Sequence, residues 1–188
     1  MTHDRSRGLI DLFERLRAGD HQALESIFHT YHPHLVRLAQ SILRDQAAAE
    51  DIAQDVLLEL WRRREQLVLE TSLRAYLLRA ARNRALNHIR HLRAVARADP
   101  DDIPTGSIPR PDRDLVEKEL EQALQQAIRA LPARCRETFE LSRVHGLKYA
   151  EIATVMGVSI KSVETQIGRA ILSLRKQLAH WLPDAGGL

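Results

Sequence analysis

The stretch YAEIATVMGVSIKSVETQIGRAILSLR, residues 149–175, decides how the rest of the chain is read. Ile152, Ala153 and Met156 recur at helical spacing and make the inner face of a short helix. Gly157 permits a tight turn, Val158 plugs the corner, and Ser159 caps a second helix. Ala153 is small where the two helices would cross. Val163, Ile167, Ala170, Ile171 and Leu174 bury the second helix, which leaves Lys161, Ser162, Thr165, Gln166 and Arg169 facing outward near its N-terminal half. Helical hairpins with glycine turns also serve structural roles. The spacing, the cap and a polar-basic outer face together favour a helix-turn-helix that enters a DNA major groove.

Working outward, the 188 residues allow one ordinary domain or two small ones and exclude a large barrel enzyme. A composition 44% hydrophobic and only 4% aromatic fits a packed helical protein. The single cysteine, Cys135, excludes an intrachain disulfide framework and a cysteine-based zinc site, and fits the inner face of its helix as a small hydrophobe. No apolar run approaches the roughly 18 residues of a membrane span, and MTHDRSRGLI lacks the apolar core of a signal peptide. A soluble, cytoplasmic protein without membrane insertion is expected.

Charge is more telling by position than in total. The basic residues are 24 Arg and four Lys, a bias that suits phosphate or carboxylate recognition and that a GC-rich genome would also produce. Residues 1–95 carry 15 basic and 12 acidic side chains, 96–130 five and eight, and 131–188 eight and five. The acidic middle contains DPDDIPTGSIPRP, whose spaced prolines oppose helix and strand alike. The expected organisation is all-α: a helical domain over 1–97, a flexible linker over 98–113, and the helix-turn-helix domain over 114–188.

In the first domain Leu9, Ile10, Phe13 and Leu16 form a helix ending at Gly19, and Leu24, Ile27, Phe28 and Tyr31 begin a second that Pro33 should kink or split. Ala47–Leu67 and Ser72–Arg97 form the third and fourth. The third buries Ala49, Ile52, Ala53, Val56 and Leu60, while Leu58 and Trp61 project on a face with Asp51, Gln54, Asp55, Arg62 and Glu65. An apolar centre with a charged rim is the pattern of a protein interface. Packing of Leu58 and Trp61 under a neighbouring helix explains it equally well, and Trp61 inside with Leu58 outside satisfies both. The fourth helix places Leu73, Leu77, Ala81, Ala85, Ile89 and Leu92 on one side and Arg79, Arg82, Arg90, Arg93 and Arg97 on the other, bordered by Asn83 and Asn87. Between Thr71 and Ala98 there are seven arginines and no acid, so the ion pairs of an ordinary solvated helix are unavailable. Self-repelling arginines in a row make sense against a polyanion, and asparagines beside them can read base edges.

These motifs resemble a known family. LPARCRETFELSRVHGLKYAEIATVMGVSIKSVETQIGRAILSLR, residues 131–175, resembles region 4 of the extracytoplasmic function group of bacterial RNA polymerase sigma factors. AEDIAQDVLLELW followed by YLLRAARNRALNHIR resembles region 2, and the likeness extends from about Ala23 to Leu178. It implies a protein that binds RNA polymerase core, through the largest-subunit clamp and the flap, and recognises two promoter elements. Core contact would fall to Asp51, Gln54, Asp55, Leu58 and Arg62, and the minus-10 element to Arg79, Arg82, Asn83, Asn87 and Arg90 with the loop Gln66–Ser72. Ser159, Lys161, Ser162, Thr165, Gln166 and Arg169 would meet the minus-35 element. An inhibitory anti-sigma factor is implied as a further partner; an enzymatic activity and a cofactor are not. The sequence departs from the common pattern at Gln166, where many relatives carry a basic residue, and at Gly168, which weakens its helix by up to about 1 kcal/mol. In a chain of this length no room is expected for the larger relatives' regions 1.1 and 3.

Single-strand binders commonly stack bases on exposed aromatics; here only Tyr76 stands beside the Arg and Asn face, with burial against the second helix the competing placement. The run HTYHPH offers His29, His32 and His34 as metal ligands, but lacks a carboxylate at helical spacing, and Asp99, Asp101 and Asp102 read as solvated linker. An ordinary helix-turn-helix repressor would explain the C-terminal half, but not the acid-free Arg and Asn face or the interface-like third helix.

Overall fold

The computed structural model describes residues 12–96 and 115–181, which contain eight helices and no strand. They are α1 (helical over 12–17), α2 (His21–Leu43), α3 (Gln46–Arg63), α4 (Leu73–Ala96), α5 (Leu115–Arg129), α6 (Ala133–Arg143), α7 (Tyr149–Met156) and α8 (Ile160–Gln177). The chain divides into two compact units between Ser107 and Ile108. The expected linker over 98–113, and the readings placed on Leu9, Ile10 and Arg97, lie outside the described residues.

In the first unit α2, α3 and α4 pack against one another. Asp20 starts α2 by accepting from the backbone N–H groups of Gln22 (2.8 Å) and Ala23 (3.4 Å), and Arg44 ends it in the left-handed region at φ 61°. Ala23, Ile27, Tyr31, Leu35, Leu38 and Ala39 line its buried face. Pro33 does not split α2, which runs through it as one helix. Proline removes one backbone donor, whose acceptor would be the His29 carbonyl. Both residues are exposed, where water substitutes, while Tyr31 and Leu35 are buried on either side and hold the helix through.

Asp45 caps α3 through the Ala48 N–H at 3.1 Å. The helix ends at Arg63, earlier than the periodicity suggested, because Arg64 N–H turns back to the Trp61 carbonyl. α4 buries Leu73, Ala75, Leu77, Leu78, Ala81 and Ala85, and its small residues let it lie close to its neighbours. Leu92, expected on the same buried stripe, is 52% exposed, so the stripe outlasts the core that covers it.

In the second unit α8 packs on α5, α6 and α7. Ala127, Leu131, Cys135, Ala170 and Leu174 form one cluster, with Ile128, Phe139 and Leu178 against it; Cys135 therefore sits on the inner face, as its spacing suggested. The turn between α7 and α8 matches its sequence. Gly157 adopts φ 67°, Val158 N–H reaches the Ala153 carbonyl at 3.0 Å, and Ser159 Oγ accepts from Ser162 N–H at 3.2 Å.

Candidate nucleic-acid and protein interfaces

Asp51, Gln54, Asp55, Leu58 and Arg62 all lie exposed on the outer face of α3, with Leu58 51% exposed at the centre. Trp61 separates from them. Its ring lies 4.8 Å from that of His21 and 4.3 Å from the Arg64 guanidinium, which also donates to the Trp61 carbonyl at 3.0 Å. Trp61 thus seals the start of α2 against the end of α3, and Leu58 alone supplies the exposed large apolar contact on this face. Asp55 reaches across to α4, where Arg84 donates to it at 3.3 Å. That pair joins the acidic face of α3 to the arginine-rich helix beside it.

On α4, Arg79, Asn83, Asn87, Arg90 and Arg93 are exposed, and Arg82 is half-buried. Arg90 donates to the Asn87 side-chain carbonyl, leaving the Asn87 amide group to point its N–H donors elsewhere. Arg74 lies 5.9 Å over the Tyr31 ring at the helix start. Nearby His34 is held below the usual histidine range, first by burial and then by the charges of Arg74 and Arg37. Of the other histidines in that run, His32 stacks on Phe28 at 4.6 Å, and His29 lies 3.7 Å from Glu25, one turn earlier, so a carboxylate does stand at helical spacing from the run, contrary to the expectation. Tyr76 is half-buried. Between α3 and α4, Val68 is 80% exposed within the loop expected to meet DNA.

On α8, Ser159, Lys161, Thr165 and Arg169 are exposed and Ser162 is half-buried. Lys161 lies 3.7 Å from Glu164 of the same helix, a solvent-exposed pair. Thr165 donates its hydroxyl proton to the Lys161 carbonyl at 2.9 Å. Gln166 corrects the sequence reading. It is 9% exposed and turned inward, with Oε1 2.6 Å from Thr138 Oγ1 of α6 and Nε2 donating to Ser162 Oγ at 3.0 Å. Thr138 is fully buried, and its hydroxyl, which also lies 2.7 Å from the Arg134 carbonyl of its own helix, gives the Gln166 amide a polar partner inside the core.

Comparison with known proteins agrees with this architecture. Residues 27–95 match the family model for Sigma-70 region 2, and residues 121–174 match Sigma-70, region 4. The chain is 30% identical to RNA polymerase sigma factor CarQ of Myxococcus xanthus, over 89% of this chain and 95% of that one. It is 28% identical to the ECF RNA polymerase sigma factor SigM of Mycobacterium tuberculosis, over 95% and 87%. Among solved structures, the sigma factor RpoE of Bartonella quintana, crystallised with the anti-sigma factor NepR, shares the fold at a TM-score of 0.67 and 23% identity, covering 82% of this chain and 96% of that one. The matched regions account for both units, and with them the chain belongs to the sigma-70 family of bacterial RNA polymerase sigma factors, in its extracytoplasmic function group.

Proposed function

We propose that this sigma factor, which binds RNA polymerase core and directs promoter-specific initiation, divides that work among three helix faces. The face of α3 docks on the polymerase clamp. Leu58 is the apolar anchor, and Asp51, Gln54, Asp55 and Arg62 form the polar rim. α4 meets the minus-10 element through Arg79, Arg82, Asn83, Asn87 and Arg90, with the loop over Gln66–Ser72 beside it. Its arginines neutralise phosphates, and the asparagines offer donors and acceptors to base edges. α8 enters the major groove of the minus-35 element with Ser159, Lys161, Ser162, Thr165 and Arg169.

The observation that carries the reading is the pairing of faces on α3 and α4: an exposed leucine in a charged ring on one, and an acid-free arginine and asparagine row on the other. A repressor that binds DNA alone has no use for the first. The stretch over 98–113 serves as a linker between domains 1–97 and 114–188, letting each meet its own element. Both partners, polymerase and promoter DNA, act in the cytoplasm, and no helix among the described residues is long and apolar enough to cross a membrane. The regulatory role is that of a binding factor rather than an enzyme. By analogy with the RpoE–NepR complex, an anti-sigma factor is the expected inhibitor.

The test is binding of Leu58→Glu to purified polymerase core. A central apolar anchor is worth at least about 2 kcal/mol, so core affinity should fall by roughly 30-fold or more. Because Leu58 lies outside the core, the thermal melt should not move. Unchanged affinity for polymerase would refute the assignment of α3.

A further inference from the structure

Gln166 does more than partner a buried threonine. Its Nε2 donates into Ser162 Oγ at 3.0 Å, so that oxygen is used as an acceptor on its inner side. A serine hydroxyl carries one proton and two lone pairs. With one lone pair engaged by Gln166 on the inner side, the Ser162 proton and its second lone pair are left for other directions, among them the outer side of α8, where Ser162 is half-exposed. The other end of Gln166 is fixed as well. Its Oε1 accepts from Thr138 Oγ1 at 2.6 Å, a hydroxyl buried beside the Arg134 carbonyl (2.7 Å) and Met156 Sδ (3.1 Å). Thr165 shows the opposite polarity. Its proton goes to the Lys161 carbonyl of its own helix, so toward solvent it can only accept.

We propose that Gln166 is a positioning residue for promoter recognition: anchored by Thr138, it holds the inner lone pair of Ser162 and so keeps the Ser162 proton available as a donor toward the major groove, beside Thr165 as an acceptor. A donor there selects a base presenting an acceptor on its major-groove edge, namely a purine N7, guanine O6 or thymine O4. The inference rests on the reading of α8 as the minus-35 helix. It assigns to a buried residue the hydrogen-bond polarity of an exposed one.

The experiment is selection by the reconstituted holoenzyme from a duplex library randomised across the upstream element, followed by sequencing of the retained DNA. Ser162→Ala should flatten the preference at one position by roughly three- to tenfold, the ratio of one neutral hydrogen bond. Gln166→Met preserves length but offers no amide proton, so the Ser162 hydroxyl is no longer held in one orientation. Gln166→Glu presents only acceptors, drawing the Ser162 proton inward. Each should flatten that same position and spare the others, and Ser162→Ala added to Gln166→Glu should change nothing more. Thermal melting establishes which variants fold, and Gln166→Met decides the matter if the buried carboxylate of Gln166→Glu is not tolerated. A folded Gln166 variant that keeps the wild-type preference overturns the proposal. So does one that loses affinity evenly across all sequences, the mark of a loosened helix or a phosphate contact. Failure of the underlying reading looks different: Lys161→Ala and Arg169→Ala would then leave upstream selection and affinity unchanged.

Discussion

The helices α4 and α8 both present basic outer faces, yet they are built on different principles. α4 has 24 residues, carries its arginines without a single acid, and rests on a buried stripe that ends by Ala85. Its outer face is a field: several like charges at helical spacing, attractive to any polyanion and only weakly directional. α8 has 18 residues and few charges outward, but it is pinned from behind by a buried hydroxyl and amide that run from Thr138 through Gln166 to Ser162. The difference teaches that a basic helix face in this protein is not one kind of object. On the proposed reading, charge number sets how strongly α4 holds a backbone, whereas the internal hydrogen bonds of α8 set which way its polar groups point.

The strongest way to break this comparison is charge reversal on α4. Arg79→Glu combined with Arg90→Glu removes two positive charges and adds two negative ones, so holoenzyme binding to promoter DNA should fall by about 100-fold or more at moderate salt, with a shallower salt dependence. A loss confined to particular promoter sequences would contradict a face that acts mainly through charge. On α8 the effects are smaller. Lys161→Ala and Arg169→Ala should each weaken upstream binding across sequences and lower the slope of log affinity against log salt by about one unit, as measured by a salt titration of holoenzyme on a promoter fragment. A slope unchanged in both variants would remove phosphate contact from α8. Smallest is Gly168→Ala. The added methyl meets nothing within 4 Å, and the residue is exposed in mid-helix, so stability should rise by up to about 1 kcal/mol in thermal or denaturant melts. A destabilised Gly168→Ala would mean that α8 is not the regular helix its hydrogen bonds describe.

The same contrast explains what could be read from the chain alone. The turn at Gly157, the Ser159 cap, the burial of Val163, Ile167, Ala170 and Leu174 and the inward Cys135 were legible, because each depends on residues within one or two helical turns. The arginine face of α4 was legible because the absence of acids is a local fact. Gln166 was not. Its direction depends on Thr138, 28 residues earlier, and on which face of α6 meets α8. Pro33 does not split α2 for a related reason: local propensity argues for a break, but the buried flanks of the helix hold it through. Leu92 kept the periodicity of a core residue past the point where the core stops. Leu58 and Trp61 could not be separated by pattern, and were separated by the rings of His21 and the guanidinium of Arg64 around Trp61.

The most direct measurement is run-off transcription with purified polymerase core, this protein and fragments of genomic DNA. The account predicts discrete transcripts that require the protein and that disappear with Leu58→Glu. Tight, sequence-specific binding to duplex DNA by the protein alone, with neither core binding nor initiation, would contradict it and leave a helix-turn-helix repressor in its place.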